Sequence, residues 1–241
     1  MIEELPAAGA PIAGVPTAVV AAWVASDAGP PRSRFSTLYW PWITVADPLA
    51  GAAIAVPPCG HVAGVWARTD RERGVFKAPA NEELRGALGL GYDTSDAEQA
   101  SLNDAGLNCI RSFPGRGILV WGARTLALEA EPESRYVNLR RLLTYISASI
   151  LEGTQWAVFE PNDWILWKRL QASVSDFLTV VWRSGALLGA SPREAFFVRC
   201  DATTTTDEDV DLGRVNILVG VALAQPGEFV TFLISQYQPA G

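Results

Sequence analysis

His61 is the single histidine of the chain, so any triad, general base or metal cluster that needs an imidazole has to be built around it. It follows Cys59 by two residues, and a thiol beside an imidazole is the pairing from which a nucleophile and its base are made. The fold, rather than adjacency along the chain, normally assembles such pairs, which favours a structural hydrogen bond in a loop or helix start over a hydrolytic role. A second group, Asp207, Glu208, Asp209 and Asp211, offers carboxylates to calcium but lacks the spacing and glycine of an EF-hand loop, and it reads as a solvated loop. Gly86, Gly89 and Gly91 do not match the dinucleotide fingerprint, and no phosphate loop with Gly-Lys-Ser/Thr occurs. Any two acids can meet in space, and nothing singles out a carboxylate pair for glycoside chemistry. The expectation is a protein with no catalytic role, no cofactor and no bound metal.

The composition sets wider bounds. At 241 residues and 49% hydrophobic, the chain can bury one substantial core, or a core plus projecting arms, without disulfides or metal. A net charge of −7 argues against nucleic acid, whose phosphates need a basic stripe. Cys59, Cys109 and Cys200 are too few and too scattered for a disulfide framework or zinc site; each is expected to be a small buried side chain, made in a reducing cytoplasm. The first residues, Met1-Ile2-Glu3-Glu4, are acidic where a secretory signal is basic. The apolar stretch at 17–25 falls far short of the roughly 20 residues of a spanning helix, so no membrane insertion is expected. The nine tryptophans mostly stand beside other apolar residues, as core packing requires.

Both ends of the chain carry strand patterns with apolar faces that nothing local covers. Over residues 12–24, Val15, Thr17, Val19, Ala21 and Trp23 alternate onto one face. Val215, Ile217, Val219, Val221 and Leu223 do the same, and a turn at 225–228 leads into the apolar run 229–234. Such ends are natural donors to a neighbour's sheet edge. The polar, proline-rich stretch 26–34 reads as a hinge between arm and core.

Inside, strands are predicted at 37–40, 118–121, 155–159 and 194–200, with short helices over 61–69 and 96–106 and a cap-like helix start at 81–84. Two longer helices have clear stripes. Leu139, Leu142, Leu143, Ile146 and Ile150 mark one over 138–152, and Trp164, Trp167, Leu170, Val174, Phe177 and Val181 mark another over 163–184, capped by Asn162. A polar loop follows at 203–211. The mixture gives an α+β class: a compact core of helices and sheet with extended N-terminal and C-terminal β arms.

Several strings in order resemble contractile tail sheath proteins, the family of sleeves in contractile phage tails, R-type bacteriocins and extracellular contractile injection systems. They are Leu38-Tyr39-Trp40-Pro41-Trp42, PPCGHVAG at 57–64, RGVFKAPAN at 73–81, Leu102-Asn103 with Gly106-Leu107-Asn108, and VWGARTL at 120–126. They continue with Tyr136-Val137-Asn138-Leu139-Arg140-Arg141-Leu142, Val158-Phe159-Glu160-Pro161-Asn162, Leu166-Trp167, 185–189, Phe196-Phe197-Val198 through Cys200-Asp201, and VGVALAQPGEFV at 219–230. The resemblance runs nearly unbroken from 35 to 241, and residues 12–24 are similar to the family's N-terminal arm. Cys59 and Gly227 stand where the family usually has serine and alanine. Members also usually carry a sizeable domain before the segment matching Phe35, and here only 26–34 bridge that gap, so the chain resembles a sheath reduced to its polymerising core.

The resemblance implies a division into an N-terminal arm and hinge (1–34), a core (35–202) and a C-terminal hairpin and arm (203–241). It implies a homo-oligomer in a helical sheath, assembled in the bacterial cytoplasm as part of a phage tail or phage-tail-like particle, with inner tube, baseplate and tail terminator proteins as partners. The function expected is contraction that drives the tube through a target envelope; the alternative is a terminator or baseplate-proximal paralogue that caps instead of extending. Arm strands would place Val15, Val19, Trp23, Val219, Val221, Phe229 and Phe232 between subunits. In the family a helix with charged residues touches the tube, and Lys168, Arg169 and Asp176 are the residues expected there.

Overall fold

The computed structural model describes residues 17–26, 28–49, 51–128 and 130–227. Val15, Phe229 and Phe232 lie outside the described residues, as does most of the arm expected at each end.

Thr17–Ala25 is helix α1, not the strand expected over 12–24. The run TAVVAAWVA satisfies two periods at once, and the helical one wins because it places Thr17, Val20 and Val24 on one buried stripe. That stripe packs on Trp40, Leu102, Leu107 and Leu126, so Val19 and Trp23 belong to a helix docked on its own chain. Its first turn is tied to Glu98 through the Thr17 hydroxyl at 2.8 Å, and Arg32 donates to the carbonyls of Val24 and Ala105. Hydrogen bonds from Ser95, Tyr92 and Thr17 hold the Glu98 carboxyl down to about 2. The expected hinge at 26–34 is likewise anchored, since Ser33 N–H donates to Leu126 O at 2.8 Å.

Three sheets follow. Strands β1 (Leu38–Trp40), β6 (Leu107–Phe113), β7 (Gly117–Val120) and β4 (Glu82–Glu83) form one in the order β1-β6-β7-β4, with β1 parallel to β6 and the rest antiparallel. Strands β3 (Ala53–Val56), β2 (Ile43–Ala46) and β5 (Ala87–Leu90) form an antiparallel second in the order β3-β2-β5. Between them, helix α2 (Cys59–Arg73) buries Val62 and Val65 against Ile43, Leu84, Ile110 and Val120. The expected helix start at 81–84 is strand instead: Asn81 takes a left-handed φ of 59° and its N–H bonds Val120 O, which sets Glu82 and Glu83 against β7. Helix α3 (Asp96–Asp104) carries the Ser95–Glu98 capping box, and Gly106 at φ 87° turns the chain into β6.

Asn108 is wholly buried in β6 and joins three segments. Its Nδ2 donates to Leu38 O at 3.1 Å and Arg124 O at 2.8 Å, and its Oδ1 accepts from Arg124 N–H at 2.6 Å. A Cβ on Gly122 would stand 2.7 Å from that Oδ1, so this position must be glycine.

Helices α4 (Val137–Gly153) and α5 (Trp164–Arg183) pair through Leu142, Ile146, Val174, Leu178 and Val181. Asp163, not Asn162, caps α5: its carboxylate accepts from the Ile165 and Leu166 amides. Asn162 accepts from the Trp167 indole and donates to Arg214 O. The strand expected at 155–159 is a 3-10 turn at Gln155–Ala157, and Phe159 at φ 67° breaks the extension. Arg141 joins α4 to α2, pairing with Asp70 at 2.8 Å while lying 4.8 Å above the Trp66 ring. A short helix α6 (Pro192–Ala195) leads into β8 (Phe196–Arg199), which pairs antiparallel with β9 (Leu218–Val221). The expected polar loop holds a further short helix, α7 (Asp207–Asp211).

Candidate assembly interface

The two-stranded sheet β8–β9 is anchored by one face. Phe196, Val198, Val219 and Val221 pack on the cluster of Leu178, Val181, Leu187 and Ala195. The other face carries Phe197, half exposed, over Gly220. Ahead of the sheet, Glu194 accepts from Ala190 N–H and the Ser191 hydroxyl, and Gly189 takes φ 119°, where an added Cβ would stand 2.9 Å from Ala195 N and from the Glu194 side chain.

The ladder fixes which backbone groups face where. Ala222 N–H donates to Ala195 O at 2.8 Å, and Ala222 O accepts from Leu188 N–H at 2.8 Å. Counting back in register, Phe197–Gly220 and Arg199–Leu218 are the hydrogen-bonded pairs, so the amides and carbonyls of Phe196, Val198, Val219 and Val221 point to the two outer edges. The β8 edge is closed, because Gln171 Nε2 donates to Val198 O at 2.9 Å and the α6 turn takes Phe196 N–H. At the β9 edge, no backbone hydrogen bond to Val219 or Val221 is made from outside the pair among the described residues. Val219 and Val221 thus sit in a strand held by its own chain, facing its own core with their side chains and presenting their backbone outward.

Lys168, Arg169 and Asp176 all lie on the exposed side of α5. Arg169 is engaged locally: it lies 4.5 Å above the Trp156 ring and 3.5 Å from Glu160. Among the described residues Lys168 donates to Gln171, at 3.3 Å. Trp164, Ile165 and Val180 share this exposed surface, so it is amphipathic rather than purely charged.

The residues with chemical potential are not brought together. Cys59 and His61 share the first turn of α2, about 200° apart around its axis, with Cys59 exposed and the His61 ring facing Gly86. Cys109 and Cys200 are buried, and burial pushes the Cys109 thiol up to about 12. In the acidic group, the Asp209 carboxylate is used to cap α7 by accepting from Thr206. Among the described residues no group of His, Cys, Asp and Glu has metal-site geometry, and no helix is long and apolar enough to cross a membrane. A cavity of about 770 Å³ lies between the segment before β4 and the start of α4, lined by Phe76, Trp121, Tyr136 and Asn138, among others. The Asn138 Nδ2 ties α4 to the segment after α2 by donating to Phe76 O at 2.9 Å.

Comparison with known proteins agrees with this geometry. Residues 32–126 match the phage tail sheath protein central domain, and residues 129–236 match the phage tail sheath C-terminal domain. The chain is similar to the contracted helical sheath of the anti-feeding prophage, with 37% identity, a TM-score of 0.79, and coverage of 88% of this chain and 58% of that one. It is equally similar to a chain of the anti-feeding prophage baseplate, with 37% identity, a TM-score of 0.79, and coverage of 86% and 56%. The tail sheath protein of Burkholderia phage BcepMu is 28% identical over 202 residues, 81% of this chain and 41% of that protein. The chain thus spans between two fifths and three fifths of the length of these relatives. With a core sheet, a C-terminal helical hairpin and both family domains matched in order, the chain belongs to the phage tail sheath protein family.

Proposed function

We propose that this chain is a structural subunit of a contractile sheath, polymerising helically around an inner tube and contracting to drive that tube through a target envelope. The observation that carries this reading is the β9 edge, where the backbone of Val219 and Val221 is turned outward beside one closed edge. A strand from an adjoining copy, drawn from residues 1–16 or 228–241, adds along this edge by main-chain hydrogen bonds. Each apolar side chain it buries contributes about 1.5–3 kcal/mol, offset by about 1–2 kcal/mol per residue for ordering the arm. The edge and the arm are different surfaces, so the contact is heterologous and propagates as a helix.

The chain divides into an N-terminal arm and hinge (1–34), a core (35–202) and a C-terminal hairpin and arm (203–241), with α1 docked on the core. Removal of residues 1–16, rather than of α1 as well, is therefore the test. The expected product is a folded monomer by sedimentation and circular dichroism that forms no tubes; tubes as abundant as those of the full chain would overturn the arm assignment. Assembly takes place in the bacterial cytoplasm, with baseplate and terminator proteins bounding the sheath, and the chain has no catalytic part in it.

Lys168, Arg169 and Asp176 face the tube in this reading. Reversing charge at both Lys168 and Arg169 is expected to reduce loading onto purified tubes by about tenfold, on the scale of one to two lost charge contacts. Unchanged loading would remove α5 from the tube surface. A second reading, a baseplate-proximal copy that caps, draws support from the baseplate likeness. Electron micrographs showing rings alone would favour it over a main sheath, and long tubes would reject it.

A further inference from the structure

A cleft of about 380 Å³ opens between the loop before β1 and the start of α4, lined by Arg34, Phe35, Trp66, Arg140, Arg141 and Tyr145, among others. Its three guanidinium groups are not equivalent. Arg34 lies 3.5 Å from Glu131, and Arg141 is held by Asp70. Arg140 has no carboxylate partner among the described residues: it lies 4.6 Å above the Phe35 ring, and its Nε is buried without a hydrogen-bond partner. Stacking on a ring uses the face of the guanidinium and leaves its in-plane N–H donors free, the geometry that receives a carboxylate. Around it Phe35 is 69% exposed and Tyr145 is 45% exposed, so an apolar rim surrounds an unpaired cation.

The complementary surface stands elsewhere on the same molecule. On α7, Asp207, Glu208 and Asp211 are exposed and make no ion pair among the described residues, and Leu212, 56% exposed, follows directly. Acids followed by a leucine match a cation ringed by aromatic carbon. Within one chain the two cannot meet. The segment after α7 packs through Val215 and Ile217 on Leu166 and Leu170, in the first half of α5. Arg140 lies at the start of α4, which runs antiparallel to α5, with Tyr145 beside Phe177 at 6.1 Å, and so it sits near the other end of a helix about 30 Å long.

We propose that the Arg140 cleft is a docking site for the acidic α7 of an adjoining copy, a second contact between sheath subunits beside strand addition. It rests on the sheath reading above. Because cleft and α7 are distinct surfaces at opposite ends of the hairpin, the contact extends along the assembly rather than closing a dimer. It is electrostatic and partly open, so it weakens with salt, whereas the strand contact is less sensitive.

The test is a charge swap in the full chain, read as the polymer fraction by sedimentation at low and high salt. Arg140→Glu, and separately Asp207→Lys with Glu208→Lys, are each expected to lower the polymer fraction about tenfold at low salt. The chain carrying all three substitutions is expected to recover most of that loss. Arg140→Gln, which removes the charge without introducing the opposite one and is expected to lose less assembly than Arg140→Glu, checks that the loss follows charge and not misfolding. Three results would overturn the proposal: an Arg140→Glu chain that assembles like the unaltered one, a triple variant no better than either parent, or losses equal at both salt concentrations. An impaired Arg140→Glu chain without recovery would mean that the cleft meets a part of an adjoining copy other than α7. These results are separable from the arm test, because loss of the arm effect with an intact swap effect would remove strand addition and leave this contact standing.

Discussion

Asn108→Leu is expected to destabilise the chain by about 3–5 kcal/mol, because it strands two carbonyls and one amide at a wholly buried site. Leucine has the same branching and leaves no empty space, so the loss comes from unmade hydrogen bonds rather than from a cavity. The affected groups belong to β1 and to the segment after β7, the two sides of the central strand β6, so the whole four-stranded sheet is weakened together. Asn108→Asp separates shape from hydrogen bonding, since it keeps the outline but turns an acceptor toward the carbonyls of Leu38 and Arg124. Both variants are expected to unfold at clearly lower urea concentration than the parent. A midpoint corresponding to less than about 1 kcal/mol of loss would show that water replaces the asparagine without cost.

Gly220→Val is expected to be the most damaging single change to assembly that leaves the core sheet untouched. A Cβ at this position would lie 2.1 Å from the Phe197 ring, directly across the pair, so the ring must leave the face of β9. The monomer is expected to lose about 1–3 kcal/mol, the usual scale of overpacking. Assembly should suffer more, because the crowding falls on β9, the strand whose outer edge is proposed to be extended. Thermal unfolding separates the two effects: a chain that is folded at assay temperature yet forms no tubes is the expected result. Normal tube formation by Gly220→Val would mean that this face of the sheet is not part of the lattice.

The stretches most legible in the sequence were those where one periodicity dominates and the caps agree. α4 and α5 were found within about a residue because their stripes recur over more than three turns, and α3 because Gly106 ends it. The run 17–25 is ambiguous in the sequence because alanine and valine satisfy alternation and helical spacing alike, and contact with Leu102 and Leu107 decides for the helix. β6 escaped notice since it is buried on both faces at its start and contains Asn108, so it neither alternates nor reads as an apolar run. β2, β3 and β5 are four-residue strands whose stability comes from pairing distant in sequence. The interface was half legible. Val219 and Val221 were marked by alternation, but the direction of their backbone depends on Ala222 and Leu188, and the closure of the opposite edge by Gln171 leaves no trace in the sequence. Arg140 is legible as a residue off the apolar stripe of α4, but its stacking on Phe35 is not, because that ring lies 105 residues away.

The hydrogen bond from Gln171 to Val198 gives the small sheet a valence. With one flank occupied by a side-chain amide from α5, the strand addition proposed above would find a single vacancy on each molecule instead of two. In the proposed lattice, two vacancies would permit branching and amorphous stacking of ribbons, whereas one vacancy matched to one arm would hold the number of bonds per subunit constant while their angles change.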